Sequence, residues 1–152
     1  MTDMLIRKAD ISDAESIHDL IKEFAPTQGA SPPDDEAVSR LIEDAFSETP
    51  RLEIWLPVNG ERVAGYAATY YTYSSFLGRR TLHIEDLFVS PDNQNNGIGD
   101  ELLKHCLHIA WSNNCNRVDL NVHKENDKAL RLYQKNGLQE EEGWLLYRLT
   151  RE

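Results

Sequence analysis

The chain has 152 residues, 40% of them hydrophobic and 28% charged, a balance that fits one domain over residues 1–152 with a buried core. Its formal net charge of -10 argues against nucleic acid as a partner, because phosphate binding needs a basic footprint, and admits a cationic small molecule or a basic peptide. No window of about 18 apolar residues exists, so no membrane span is expected.

The first residues show no basic-then-apolar pattern, so no signal peptide is expected. Cys106 and Cys115 supply neither a disulfide framework nor a metal-ligand pair, so a reduced cytoplasm and no metal are expected. Residues 5–7 read as a short strand. Asp10 or Ser12 can cap a helix whose stripe is Ala14, Ile17, Leu20, Ile21 and Phe24. Residues 25–33 carry prolines, a glycine and small polar residues, which predicts a loop. A second helix follows, striped by Val38, Leu41, Ile42, Ala45 and Phe46 and ending near Pro50. Residues 52–56 suit a strand, and Asn59-Gly60 marks a hairpin turn into a longer strand over 62–73.

Leu77-Gly78-Arg79 allows another turn before a strand over 81–89, which Pro91 stops. A third helix over 98–111 places Ile98, Leu102, Leu103, Cys106, Leu107 and Ala110 at helical spacing. Residues 118–122 alternate as a strand, residues 129–135 supply a fourth helix, and Gly137 is a left-handed stop signal. Two further strands are expected at 138–140 and 144–149. The order β-α-α-β-β-β-α-β-α-β-β predicts an α/β protein with a mixed sheet and helices on its faces.

Between strand and third helix lie Gln94, Asn95, Asn96, Gly97, Ile98 and Gly99. The first turn of a helix leaves backbone N–H groups unpaired and carries the positive end of the helix dipole. Glycines at 97 and 99 let an anion approach that backbone without meeting a Cβ. No Gly-Lys-Ser/Thr follows, which excludes a P-loop nucleotide enzyme.

The spacing Gln-x-x-Gly-x-Gly resembles the pyrophosphate loop of the GNAT superfamily of acyl-CoA-dependent N-acetyltransferases. The run Asn126-x-x-Ala129-x-x-x-Tyr133 resembles that family's fourth-helix segment. Four blocks are similar to the diamine (spermidine/spermine, thialysine) acetyltransferase branch: Tyr70-Tyr71-Thr72-Tyr73, Phe76-Leu77-Gly78-Arg79, Glu85-Asp86-Leu87-Phe88-Val89 and Glu141-Glu142-Gly143-Trp144. The resemblance covers nearly the whole chain. It implies a GNAT fold with a central mixed, mostly antiparallel seven-stranded sheet and helices on both faces. Acetyl-CoA would be the cosubstrate, and its pantetheine arm would lie where strands 81–89 and 118–122 splay apart.

Acetyl transfer to an amine needs a proton acceptor for the amine, stabilisation of the developing oxyanion and a proton for the departing thiolate. Glu85 and Asp86 are carboxylates inside an apolar run, an arrangement that is expensive unless they are satisfied. Strand parity predicts that they face opposite sides of the sheet. Each could equally hydrogen-bond a neighbouring loop. By the resemblance Glu85 is the base, acting through a water, and Asp86 helps hold the cationic substrate. Tyr133 would donate to the thiolate, its alternative being a core aromatic against Leu130 and Leu132. Asn126 would bind the coenzyme A arm, and a backbone N–H among Leu87, Phe88 and Val89 would meet the carbonyl oxygen.

By the same resemblance Glu141 and Glu142, with Trp144, would face the acceptor amine, often across a homodimer whose C-terminal strand is exchanged. The alternative for the two glutamates is a solvated charge run. His83 shares a strand face with Glu85, and one or two of Tyr66, Tyr70, Tyr71 and Tyr73 could wall an acceptor pocket. Two departures from the branch stand out. Residues 25–35 lack its tyrosine- and glutamate-rich stretch, and Gln94, Asn95 and Asn96 stand where relatives carry a basic residue, so backbone amides would bind the cofactor more than charge does. Direct transfer to a small cationic amine is the leading expectation. Acetylation of protein lysines or N-termini, and a non-catalytic acyl-CoA-binding module, are the alternatives.

Overall fold

A computed structural model describes residues 4–151. Alternating apolar residues build a six-stranded sheet: β1 (Leu5–Lys8), β2 (Glu53–Asn59), β3 (Arg62–Val63), β4 (Gly65–Ser74), β5 (Arg79–Val89) and β6 (Val118–Leu120). The order is β1-β2-β4-β5-β6, with β3 also on β2. Every pairing is antiparallel except β5 with β6, which runs parallel. The helices are α1 (Ala14–Thr27), α2 (Asp35–Ala45), α3 (Ile98–Ser112) and α4 (Asp127–Lys135).

Period-two alternation sorts the strand side chains into two cores. Ile54, Leu56, Val58, Tyr66, Ala68 and Phe88 meet Ile17 and Leu20 of α1 and Ala45 of α2 on one face. On the other, Ala67, Leu82 and Ile84 meet Leu102, Leu103, Cys106 and Ala110 of α3, and Leu132 and Tyr133 of α4 close over them. Asp10 caps the turn before α1, accepting from the Ser12 N–H at 2.8 Å. Asp13 anchors that turn: buried, it takes both arms of the Arg7 guanidinium at 2.8 and 2.9 Å.

Three expectations need correction. The strand expected over 62–73 divides at Ala64, opposite Pro57. Proline has no N–H to give the ladder, and Ala64 bonds back to the Pro57 carbonyl at 2.9 Å. Next, α1 runs through Pro26 to Thr27, into the segment expected as loop. Finally, residues 138–140 and 144–149 form no strands, so with the division at Ala64 the sheet has six strands rather than seven. Their alternation is a strand pattern, but a strand needs an edge to pair with, and no edge of this chain receives them. Trp144, Leu145, Leu146, Tyr147 and Leu149 all lie exposed.

Candidate active site

The turn between β5 and α3 is built for close approach. Asn95 and Gly97 both adopt left-handed backbone, at φ 65° and 78°. Asparagine and glycine tolerate that conformation best. A Cβ added at Gly97 would meet nothing within 4 Å, so the space above it is open. No side chain caps α3. The N–H groups of Ile98, Gly99 and Asp100 precede the first intrahelical bond, from Glu101 to the Gly97 carbonyl at 3.0 Å, and a helix start of this kind is suited to an anion.

Beside this turn the sheet opens. β5 pairs with β6 only from Leu82–Val118 to Ile84–Leu120. Beyond Ile84 the two strands part, and alternate backbone N–H groups over 85–89 have no β6 partner. The gap leads into a cleft of about 940 Å³, walled by Leu87, Phe88 and Val89 on one side and by α4 on the other. Phe24 and Gln28, at the end of α1, close its rim.

α4 is placed by its cap. The Asn126 Oδ1 accepts from the Ala129 N–H at 3.2 Å, which leaves its amide N–H₂ for the cleft. Asn126 and Tyr133, nearly two turns apart, both line that cleft. Burial raises the Tyr133 hydroxyl above the ordinary tyrosine range, so it stays protonated at neutral pH and can donate. The far end of α4 is tied to α3 through Asp100, whose carboxylate meets Lys104 at 2.7 Å, the Asn136 amide at 2.8 Å and Lys135 at 3.5 Å.

Glu85 and Asp86 overturn the parity expectation. The β4–β5 ladder pairs Ala68 with Asp86 and Thr69 with Ile84, leaving Glu85 unpaired in a bulge. An extra residue in a bulge lets consecutive side chains share a face. The Tyr66 hydroxyl donates to Asp86 Oδ2 at 3.1 Å and the Tyr70 hydroxyl to Glu85 Oε2 at 3.2 Å. Tyr66 and Tyr70 lie on one face of β4, so both carboxylates project toward the α1 side. Asp86 is recessed, and burial, opposed by Tyr66, raises its carboxyl above the ordinary range. Glu85 is more open, with His83 Nε2 at 3.3 Å. The His83 ring stacks on Tyr70 at 5.0 Å between centroids.

A family model described as "Acetyltransferase (GNAT) family" matches residues 14–138. The chain belongs to the GNAT acetyltransferase family.

A thialysine N-epsilon-acetyltransferase of Mus musculus is 32% identical over 163 residues, covering 100% of this chain and 95% of the relative. A spermidine/spermine N(1)-acetyltransferase-like protein 1 of Homo sapiens is 33% identical over 157 residues, covering 97% of this chain but 22% of that longer protein. Among solved structures, a possible acetyltransferase from Clostridium difficile 630 superposes with a TM-score of 0.84 at 18% identity, over 97% of this chain and 99% of the other. That likeness is one of fold. Together these findings make the protein an N-acetyltransferase.

The acetyltransferase cleft gathers Leu87, Phe88, Val89, Gln94, Asn95, Gly97, Gly99, Asn126 and Tyr133 of the expected site. Ile98 contributes backbone only, since its side chain is buried in the core. Asn96 is exposed at the turn and does not line the cleft. Glu85 and Asp86 form their own cluster just upstream on β5. Glu141, Glu142 and Trp144 lie exposed in the C-terminal segment, away from the cleft.

Sequence reasoning missed Asp100 and Lys128. Asp100 carries a signal, an acid three residues after Gly97 with Lys104 one turn on. Lys128 follows the Asn126 cap by two residues and reaches Gln94 at 3.1 Å, a contact that only the tertiary arrangement reveals. Among the described residues no group of three metal-ligating side chains occurs, and no helix is long and apolar enough to cross a membrane.

Proposed function

We propose that the protein transfers acetyl from acetyl-CoA directly to a primary amine of a small cationic acceptor, a polyamine, diamine or lysine analogue. The observation that carries the acceptor class is the bulge placing Glu85 and Asp86 on one face, beside Tyr66, Tyr70 and His83. Two carboxylates converging on one side suit a substrate with more than one ammonium group. The names of the relatives, for thialysine and for spermidine/spermine, agree with that class.

The cleft fits acetyl-CoA in its chemistry. The open backbone at Gly97 and the uncapped start of α3 suit a pyrophosphate, and the apolar gap between β5 and β6 suits a slender arm. Bound there, the cosubstrate supplies an acetyl thioester. The Asn126 amide N–H₂ and a backbone N–H of residues 87–89 orient that arm and receive the charge developing on the carbonyl oxygen. Glu85 takes the amine proton through a water, which frees the lone pair that forms the new C–N bond. Tyr133 gives its proton to sulfur as the C–S bond breaks.

Base and acid thus approach from opposite faces of the sheet, since Tyr133 packs on the α3 side and Glu85 projects to the α1 side. The gap beyond Ile84 joins the two faces, so both substrates can bind together and no enzyme-bound acetyl group is needed. The exposed Trp144–Leu149 segment supports a homodimer in which a second copy receives that segment as a strand and brings Glu141, Glu142 and Trp144 toward the acceptor. Cys106 and Cys115, buried and unpaired, are consistent with work in the cytoplasm.

The test is a panel of diamines, polyamines, thialysine and lysine-containing peptides assayed for acetyl-CoA-dependent release of free thiol. Turnover of the small amines at rates well above the peptides is expected. A preference for peptides would replace the acceptor class, and silence across the panel would favour a binding module.

A further inference from the structure

The phosphate end of the cleft has an electrostatic problem that its own loop does not solve. Residues 90–97 contain no lysine or arginine and include Asp92. Asp100 lines the cleft in the first turn of α3, and Lys104 and Asn136 hold its carboxyl down at about 2, so it is ionised throughout the useful pH range. Gln94 adds a further acceptor. Its Nε2 donates to the Val89 carbonyl at 2.8 Å, which fixes the orientation of the amide and turns Oε1 outward. An acceptor oxygen at a phosphate site repels the oxygens that would arrive there, unless a cation stands between them.

Such a cation is present, on another element. Lys128 of α4 donates from Nζ to Gln94 Oε1 at 3.1 Å. An ammonium has three donors, of which Gln94 uses one. Among the described residues no carboxylate forms a salt bridge with Lys128, whereas Lys135 on the same helix reaches Asp100. Lys128 is exposed on α4 and also lines the cleft. Its charge is therefore uncommitted and is aimed by Gln94 at the turn.

We propose that Lys128, bracketed by Gln94, is the cationic ligand of the acyl-CoA pyrophosphate, supplying from α4 the charge that the glycine turn lacks. Gln94 is then a positioning residue. It links Val89, where the acyl end of the cleft begins, to the ammonium over the phosphates. Phosphate arrival would tie α4 to the α3 turn across the cleft mouth. This rests on the acyl-CoA reading of the cleft.

Isothermal titration of coenzyme A and of dephospho-coenzyme A, which lacks the 3′-phosphate, tests the assignment. The proteins are the parent, Lys128→Met, Lys128→Arg, Gln94→Met and the double variant Lys128→Met/Gln94→Met, each checked for native circular dichroism. Lys128→Met should raise Kd about tenfold for both ligands, the loss expected of one charge-assisted contact. The arginine variant should recover most of it. The penalty should shrink at about 1 M salt, where the Debye length falls to about 3 Å. Gln94→Met should weaken binding less, and add little once Lys128 is gone, as a residue acting through another does.

Parent-like binding by Lys128→Met would overturn the proposal. So would a penalty seen with coenzyme A and absent with dephospho-coenzyme A, which would move Lys128 to the 3′-phosphate. If the parent itself fails to bind coenzyme A, the acyl-CoA reading falls and takes the proposal with it.

Discussion

Glu85 and Asp86, neighbours in sequence, project from the same face of β5, because Glu85 occupies a bulge opposite the Ala68–Thr69 step. The two have different surroundings. Glu85 is open, held by Tyr70 and His83, and Asp86 is recessed under Tyr66. The open one is the proposed base, acting on the amine through a water. Glu85→Gln should therefore lower kcat about 100-fold near neutral pH, the usual scale for a general base. The gap should narrow as pH rises and the amine deprotonates in solution. A pH–rate profile with a saturating polyamine checks this, and parallel profiles for parent and variant would remove Glu85 as base.

Asp86 should show itself in acceptor affinity. Burial raises its carboxyl, the Tyr66 hydroxyl opposes that shift and the charge of Glu85 adds to it. A carboxyl with a raised pKa becomes neutral at a higher pH than an ordinary aspartate, so its hold on a cation should weaken early on acidification. The acceptor KM of the parent should climb as pH falls through the mildly acidic range, while Asp86→Asn has a high KM that barely changes. Tyr66→Phe removes the hydrogen bond that favours the ionised form and should move the climb to higher pH. Acceptor KM measured against pH for the three proteins decides it.

Tyr133 lines the cleft with its hydroxyl proton retained by burial. Tyr133→Phe should reduce kcat about 100-fold and leave the Kd for acetyl-CoA within about twofold, since the ring and its packing persist. Thiols with a lower pKa leave without help, so a more acidic thioester analogue should restore part of the rate. Unchanged turnover would return Tyr133 to the role of a core aromatic beside Cys106.

Local pattern carried most of this architecture. The stripes of α1 to α3 and the Gly137 stop follow from spacing and glycine chemistry, and most of the stripe residues are buried or packed against the two cores. Asn126 and Tyr133 share the cleft because seven residues is nearly two turns. What pattern missed depends on pairing between distant segments. Parity fails at Glu85 because a bulge is a property of two strands, and the break at Ala64 answers to Pro57 across the ladder. The strands expected at 138–140 and 144–149 have the right alternation without an edge in this chain. Lys128 joins the site only once α4 lies against the turn.

Gly65 should prove intolerant. It pairs with Val89, and a Cβ there would come within 2.1 Å of the Phe88 carbonyl oxygen and 2.9 Å of the Val89 Cα. Both obstacles are backbone, so relief requires β4 and β5 to separate where the cleft begins. Gly65→Ala should destabilise the protein by about 3 kcal/mol, in the range of severe overpacking, and weaken coenzyme A binding with it. Urea unfolding monitored by tryptophan fluorescence measures the first effect. A parent-like midpoint would show that the two strands separate there at little cost.

Asp100 links stability to pH in a way that separates it from Glu85 and Asp86. Its folded-state pKa of about 2, set first by Lys104 and then by Asn136, lies below that of an unfolded aspartate. A depressed carboxyl stabilises the fold fully above the unfolded value and loses that contribution as pH falls toward the folded one. Lys104 and Lys135 keep their ammonium groups largely in solvent, so the contribution is about 1 kcal/mol, less than the shift alone implies. Asp100→Asn should therefore unfold at a lower urea concentration than the parent at pH 7. Its deficit should hold to about pH 5 and then close as pH falls from about 4 toward 2. A deficit that stays constant across that range would mean that Asp100 acts through shape and hydrogen bonding and not through its charge.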